Sequence, residues 1–337
     1  MSSVSVVILN WNGANHLRRF LPAVLSATPA AAEIVVADNG STDDSVSLLA
    51  EEFPSVRVVQ LERNYGYAGG YNRALQHVDS DCCVLLNSDV EPAPGWLEPL
   101  VSMLDTHPEI AAVAPKVLSW SRRDMFEYAG AAGGFIDSLG YPFCRGRILG
   151  RLERDEGQYD DAREVFWASG AAFCCRTELF RRLGGFAEDF FAHMEEIDLC
   201  WRMQLAGYKI AVEPHSRVYH LGGGTLAADN PQKVYLNHRN NLAMLFRCAS
   251  GPRRLAAAIV RPFTDMAAAA FYACSGSPRA AWAVLKAYAD FLRRHGTLRR
   301  QRREIRASVV HEPEGTIYCG SIVLRYICGR HTFGKMM

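Results

Sequence analysis

The side chains able to do chemistry stand where short apolar runs stop. Cys82-Cys83-Val84-Leu85-Leu86 ends at Asn87-Ser88-Asp89, Val6-Val7-Ile8-Leu9 ends at Asn10, and Ile34-Val35-Val36-Ala37 ends at Asp38. A further run, 56–61, leads to Asn64 and a stretch with Gly66, Gly69 and Gly70. Later, Glu195-Glu196-Ile197-Asp198 puts three carboxylates within four residues, and His220 precedes Leu221-Gly222-Gly223-Gly224. A carboxylate such as Asp89 at the rim of a cleft can hold a divalent cation, or it can cap the next turn. Carboxylates at the start of a helix can act as a base, or they can complement the helix dipole. Taken singly, each position allows both readings.

A short apolar run bounded by polar residues suits a strand buried on both faces. Helical patterns separate these runs. Leu17, Phe20, Leu21, Val24 and Leu25 share one face; Ser41-Thr42-Asp43-Asp44 offers N-caps ahead of Val46, Leu48 and Leu49; and the glycine-rich stretch leads into a helix through Val78. Strands alternating with helices predict a mainly parallel sheet flanked by helices, in which ligands gather beyond the carboxyl ends of the strands. Asn10, Asp38, Asn64 and Asp89 then converge on one rim, the geometry of a nucleotide cleft.

Pro94-Gly95-Trp96-Leu97 opens another helix, and 111–115 reads as a short strand. Residues 119–164 show weak periodicity and read as a long loop or flap over the cleft. Residues 165–175 are strand-like but broken at Gly170, by a bulge or by close approach of a ligand. Glu195 begins a helix that stops at Gly207, and 209–212 and 216–219 read as two short strands. From Val234 the pattern is helical without strands, and its first helix carries Asn237-His238-Arg239-Asn240-Asn241. The division expected is a catalytic domain over 1–233 and a helical, basic extension over 234–337.

The 337 residues are 49% hydrophobic and 22% charged, ordinary for a folded protein of one or two domains. A net charge of +1 gives no reason to expect a nucleic acid partner. Basic residues nonetheless crowd the end of the chain. Residues 293–306 hold seven arginines and one glutamate, shortly after Trp282, Tyr288 and Phe291. Such a stretch suits an anionic membrane surface, or equally a solvated helix or partner contact. Residues 255–274 are alanine-rich, but Arg261, Pro262 and Asp265 make them a poor membrane span. The ten cysteines include Cys82-Cys83 and Cys174-Cys175 inside apolar runs, with no C-x-x-C spacing, as buried thiols in a reducing compartment would be. The N-terminal residues lack the features of a signal peptide. A cytoplasmic location follows as the expectation, with peripheral attachment to the inner face of the cell membrane as its variant.

The ordered motifs together resemble the family 2 glycosyltransferases, inverting enzymes with the GT-A nucleotide-diphospho-sugar transferase fold. They are Val-Val-Ile-Leu-Asn-Trp-Asn-Gly (6–13), Ala-Asp-Asn-Gly-Ser-Thr-Asp (37–43), Asn-Tyr-Gly-Tyr-Ala-Gly-Gly-Tyr-Asn (64–72) and Leu-Leu-Asn-Ser-Asp (85–89). Gly-Gly-Phe (184–186), Glu-Glu-Ile-Asp-Leu (195–199) and Tyr-His-Leu-Gly-Gly-Gly (219–224) complete them. Within the family the chain is most similar to the rhamnosyltransferase-like branch.

The resemblance implies an α/β GT-A fold with a helical C-terminal extension. It implies transfer of a sugar, a deoxyhexose such as rhamnose among the options, from a dTDP- or UDP-linked donor to a glycan or lipid-linked acceptor in cell-surface polysaccharide synthesis. Asn10, Asp38, Asn64, Gly69, Asn72, Asn87 and Ser88 would line the nucleotide-sugar site. Asp38 would accept a hydrogen bond from the imide of the base. Asp89 and His220 would hold Mg²⁺ or Mn²⁺, with the imidazole favouring Mn²⁺. Asn87 stands where the family has the first carboxylate of Asp-x-Asp, which lowers the protein charge at the metal. Glu196 would be the base and Glu195 would orient the acceptor or donor sugar, while Asp198 could equally be a first-turn carboxylate complementing the helix dipole and His193 is a bystander or a pocket residue.

Two other readings share parts of this pattern. A nucleotidyltransferase would need a glycine-rich, cation-bearing loop after the first strand, and Asn10-Trp11-Asn12-Gly13 holds no cation. A catalytically silent nucleotide-sugar binding module would have no need of Asp89, Glu196 and His220 together.

Overall fold

The computed structural model describes residues 2–222, 230–313 and 315–335. In chain order the elements begin with β1 (Val4–Asn10), α1 (Ala14–Ala27), β2 (Glu33–Asp38), α2 (Ser45–Glu52), β3 (Arg57–Gln60), α3 (Gly66–Ala74), β4 (Cys82–Asn87), β5 (Val90–Pro92) and α4 (Leu97–Thr106). Then come β6 (Ile110–Ser119), β7 (Gly134–Asp137), β8 (Pro142–Cys144), β9 (Arg147–Ile148), β10 (Arg151–Leu152), β11 (Arg163–Val165), β12 (Ala172–Arg176) and α5 (Thr177–Arg182). The remainder is α6 (Glu195–Leu205), β13 (Lys209–His220), α7 (Pro231–Cys248), α8 (Gly251–Cys274), α9 (Pro278–Arg293), α10 (His295–Ala307), β14 (Ile317–Tyr318) and α11 (Ile322–Ile327).

The central sheet runs β11-β13-β6-β12-β4-β1-β2-β3, with β5 paired to β13. β3, β2, β1 and β4 are mutually parallel, and β12 is inserted antiparallel between β4 and β6. Period-2 alternation divides the core between the two faces. Val6 and Ile8 of β1 pack with α1, α2 and α4 on one side, while Val7 packs on the other with Ala68 and Tyr71 of α3, Phe173 of β12 and Leu199 of α6. Cys82 to Leu86 of β4 are buried throughout, as a central strand covered on both faces requires. The paired cysteines are free thiols inside this core, with the Cys83 and Cys175 sulfurs 3.6 Å apart.

Four local expectations are corrected. Residues 119–164 are not one long loop: β7 to β10 lie within them and build a second sheet of order β10-β9-β8-β7-β14. Strands of two to four residues are too short to display a period-2 pattern. Nor are 165–175 one interrupted strand, because β11 and β12 pair with different partners and Gly170 lies in the turn between them. Residues 209–220 form one long strand rather than two, and a register shift between Glu213 and Arg217 accommodates Pro214, which cannot donate to the ladder. Finally, the region beyond Val234 is not helical throughout. β14 pairs in parallel with β7, Ile317 opposite Ile136, and completes a sheet begun almost two hundred residues earlier.

Among the described residues no helix is long and apolar enough to cross a membrane.

Candidate active site

The ends of β4 and β13 meet because β5, directly after Asp89, pairs with the end of β13 and sets Val90 opposite His220. Asp89 Oδ1 consequently lies 3.1 Å from His220 Nε2, and Asn87 Nδ2 lies 3.5 Å from the same nitrogen. The other imidazole nitrogen, Nδ1, is 3.1 Å from Oε2 of Glu127. Burial alone would lower the imidazole, but the hydrogen bonds and charges of Asp89 and Glu127 outweigh it and push it up to about 10. Burial likewise opposes ionisation of both carboxyls, yet His220 holds each below its usual range. Gly222, at φ +60°, continues this wall; a Cβ there would fall 2.4 Å from Glu127 Oε1. Gly223 and Gly224 of the same motif lie outside the described residues.

Glu127 was not singled out by sequence reasoning. It is an isolated acid in a weakly periodic stretch, and only the fold brings it to His220. A carboxylate on the far nitrogen of a histidine holds the Nδ1 proton and orients the ring, so that a cation displacing the Nε2 proton would meet that nitrogen's lone pair. No three His, Cys, Asp or Glu side chains converge on a single cation position among the described residues. Asp89 and His220 do offer one oxygen and one nitrogen on a common point. That donor set fits a divalent ion that takes its remaining ligands from phosphate oxygens and water.

The ends of β1 and β2 and the start of α3 are joined by a web of amides. Asn10 and Asp38, paired in register across β1 and β2, are both buried, and Asn10 Nδ2 donates to Asp38 Oδ2 at 3.1 Å. Asp38 Oδ1 accepts the Ser41 backbone N–H at 2.9 Å, so this carboxylate also fixes the turn that follows β2. Asn10 Oδ1 is buried with no protein partner, an acceptor left open on this wall. Asn39, one residue on, takes the Tyr65 N–H and donates to Asn64 Oδ1 and the Gly66 carbonyl. Asn64 Oδ1 in turn caps Gly66 N–H at the start of α3. Gly69 sits against Tyr65 and Arg73, where a Cβ would come within 3.1 Å of both side chains. Ser88 is half-buried in the turn between β4 and β5.

Asn72 is placed differently from the rest. Its amide accepts the Phe186 N–H and donates to the Phe186 carbonyl, so it ties α3 to the 184–186 turn. Asp43 bridges two helices, accepting from Ala14 N–H at the start of α1 and from Ser45 at the start of α2.

Glu195 and Glu196 open α6. Asn87 N–H donates to the Ala171 carbonyl, which draws the 169–171 turn against the end of β4. A Cβ on Gly170 would sit 3.7 Å from the carboxyl carbon of Glu196 and 3.1 Å from the Tyr67 hydroxyl, so Glu196 faces that turn. The Tyr67 hydroxyl donates to the Gly170 carbonyl at 2.6 Å. Oε2 of each glutamate is buried without a hydrogen-bond partner. Burial pushes the Glu196 carboxyl up to about 7, and burial together with the Glu196 charge raises Glu195 well above the usual carboxyl range. Asp198 is a different kind of carboxylate. It is fully buried between Arg202 and Arg247, which outweigh burial and hold it ionised. His193 is kept neutral, lowered to about 4 by burial and by Lys233.

The backbone leading to the glutamates is strained. Phe191, His193 and Met194 all have positive φ, at 66°, 70° and 73°, without being glycine. The segment is gripped from both sides. The Phe191 carbonyl accepts from Tyr67 and Ala68 N–H of α3, and Asn240 and Arg239 of α7 donate to the carbonyls of residues 189–193. The amide cluster of α7 was visible in the sequence, but nothing there linked it to Glu196.

Comparison with known proteins adds to this geometry. The model of the family described as Glycosyl transferase family 2 matches residues 5–181. An N-acetylglucosaminyl-diphospho-decaprenol L-rhamnosyltransferase of Mycobacterium tuberculosis is 27% identical over 264 residues, covering 73% of this chain and 85% of the relative. Among solved structures, the chain is similar to GalNAc-T7 with UDP, GalNAc and Mn²⁺ (TM-score 0.61, 20% identity, 78% of this chain and 51% of that one). It is similar too to the mannosyltransferase PcManGT of Pyrobaculum calidifontis in complex with GDP-Man and Mn²⁺ (TM-score 0.55, 19% identity, 91% and 86%). These structural likenesses bear on the fold, and the fold is GT-A.

Proposed function

The chain belongs to glycosyl transferase family 2 and is a glycosyltransferase of glycan synthesis; from that premise we propose that it is an inverting enzyme with Glu196 as its base. The observation that carries this reading is the Glu196 carboxyl, which lies beside Gly170 with Oε2 unpartnered and is raised to about 7 by burial. A base with that pKa is half ionised near neutral pH, where proton transfer is most effective. Glu196 takes the proton of an acceptor hydroxyl as its oxygen bonds to the anomeric carbon. The bond from that carbon to the donor phosphate breaks on the opposite face, and the nucleoside diphosphate leaves. Glu195, its carboxyl raised by burial and by the Glu196 charge, orients the donor or acceptor sugar.

Asp89 and His220 would hold Mn²⁺ or Mg²⁺, which supplies charge neutralisation for the leaving diphosphate. Glu127 orients His220 for that task. Asn10, Asp38, Asn64, Gly69, Asn87 and Ser88 form the nucleotide-sugar wall, with Asp38 toward the base, which favours a uracil or thymine nucleotide. Asn72 shapes the wall through Phe186. The relative named above acts as a rhamnosyltransferase on a decaprenol-linked acceptor; a deoxyhexose donor and a lipid-linked or glycan acceptor are accordingly our first candidates. The catalytic unit is the 1–233 region with 234–337 built against it.

Purified protein screened against dTDP- and UDP-linked sugars with Mg²⁺ or Mn²⁺ is expected to release nucleoside diphosphate in an acceptor-dependent manner. Glu196→Gln is expected to bind donor but not transfer. Full transfer by that variant would overturn the assignment of the base.

A further inference from the structure

The helix α8 is built inside out. Buried Ala257, Arg261, Asp265 and Ala269 recur every four residues and form the stripe that packs inward. Between residues 255 and 274 the only charged side chains are Arg261 and Asp265, 2% and 0% exposed. The outward positions are apolar: Leu255 is 63% exposed, Ile259 57%, Phe263 74% and Phe271 67%. A helix of a water-soluble surface shows the reverse pattern. Its 24 residues give this face a length of about 36 Å. α9 returns alongside α8 and adds an exposed Trp282.

The inward charges explain how the hairpin is fixed without polar groups on its outer face. Arg261 pairs with Asp265 and donates to the Leu139 carbonyl and to Asn241, and the Tyr288 hydroxyl donates to Asp265 at 2.7 Å. One buried network thus ties α8 to α7, α9 and the turn before β8. The outer apolar face is left available.

We propose that this face lies on an anionic lipid bilayer as an in-plane, non-spanning membrane contact. The charge around it is complementary to anionic headgroups. With the buried Arg261–Asp265 pair set aside, the hairpin carries Arg253, Arg254, Arg279, Lys286 and Arg293 against Asp290 alone. Arg254, Arg279 and Arg293 are exposed around the hairpin. Apolar side chains inserted at the acyl boundary, with arginines at the phosphates, are the recognised physics of an interfacial helix. Trp282 suits the headgroup level. A second copy is a poorer occupant, because a twofold contact would set the same arginine rim against itself. Sequence reasoning looked to residues 293–306 for membrane contact, but several of those arginines are spent internally. Arg294 pairs with Asp189, and Arg302 donates to the carbonyls at the end of α7.

The test uses the full chain and no sugar nucleotide, so it stands apart from the transfer reaction. The protein is sedimented with vesicles of phosphatidylcholine alone or of phosphatidylcholine and phosphatidylglycerol in equimolar mixture. We expect co-sedimentation with the mixed vesicles that weakens with salt, and at least about tenfold weaker partition for the Phe263→Ser/Phe271→Ser variant. Both side chains are largely exposed, so that variant should unfold at the wild-type temperature, and Arg254→Glu/Arg279→Glu should weaken binding through charge alone. Three results would overturn the proposal: wild type left in the supernatant with both vesicles, undiminished binding by the phenylalanine variant, or a concentration-dependent dimer that this variant abolishes.

Discussion

The side-chain amide of Asn240 lies 2.8 Å from the carbonyl of His193, and the same nitrogen reaches the carbonyls of Phe190 and Ala192 at 3.1 and 2.9 Å. Those carbonyls flank and include the positive-φ residues Phe191, His193 and Met194, whose backbone carries the chain into Glu195 and Glu196. Positive φ at a bulky residue costs on the order of 1–3 kcal/mol and persists only when its surroundings enforce it. Asn240→Ala removes the enforcing donors. It should lower kcat by at least about tenfold while leaving donor binding nearly unchanged, and it should reduce stability by about 1–3 kcal/mol. Steady-state kinetics beside thermal unfolding check this; a variant with wild-type kcat would show that the segment holds its shape without α7.

Glu196 links rate and stability through one proton. Burial raises its folded pKa to about 7 from an ordinary carboxyl value, so the folded protein retains a proton that the unfolded chain loses above about pH 4–5. Stability from this group therefore falls as pH rises through that window and stays reduced above 7. Glu196→Gln, which cannot ionise, should be more stable than wild type at pH 8 by about 1–3 kcal/mol and equal to it at pH 4. Transfer should fall by about 10²–10⁴-fold. In wild type the rate should rise with pH along a limb centred near 7. A limb absent from the profile would remove Glu196 from the role of base.

Glu127 separates positioning from ligation. It touches the far nitrogen of His220 rather than the face shared with Asp89. Glu127→Ala should weaken Mn²⁺ binding by about 10–100-fold, with Glu127→Gln intermediate because its amide oxygen can still accept from the ring. Mn²⁺ titration in the presence of nucleoside diphosphate reads this directly, without turnover. Equal affinity in all three proteins would leave Glu127 with a purely structural part.

The parallel half of the fold was legible because its signals are local. The unbroken run of β4 and the polar residues ending β1, β2 and β4 are each contained within a few neighbouring positions. The same holds for Glu195 and Glu196 at a helix start. Glu127 was not legible, since it reaches His220 through its backbone bond to Val117 of β6 and the pairing of β6 with β13, which no short stretch encodes. Asn240 was noticed as one of five polar residues, but its partners lie about fifty positions away and are backbone carbonyls, which leave no mark in a sequence. The second sheet escaped for both reasons, having very short strands and one contributed from residue 317.

These long-range ties make the C-terminal region part of the fold that presents the site. Asp198 of α6 is buried against Arg247 of α7 as well as Arg202, and removing one side of a buried pair typically costs about 3–5 kcal/mol. A chain ending at residue 233 would lose Arg247 and Asn240 together and would strip β14 from β7. Single domains are stable by only about 5–15 kcal/mol, so we expect that fragment to be insoluble or unfolded by circular dichroism. Arg247→Leu in the full chain is the finer measurement. It should destabilise by about 3–5 kcal/mol near neutral pH, and protonating Asp198 should shrink the deficit at acid pH. A soluble, cooperatively folding 1–233 fragment would instead show that the helices are an appendage to a self-sufficient catalytic domain.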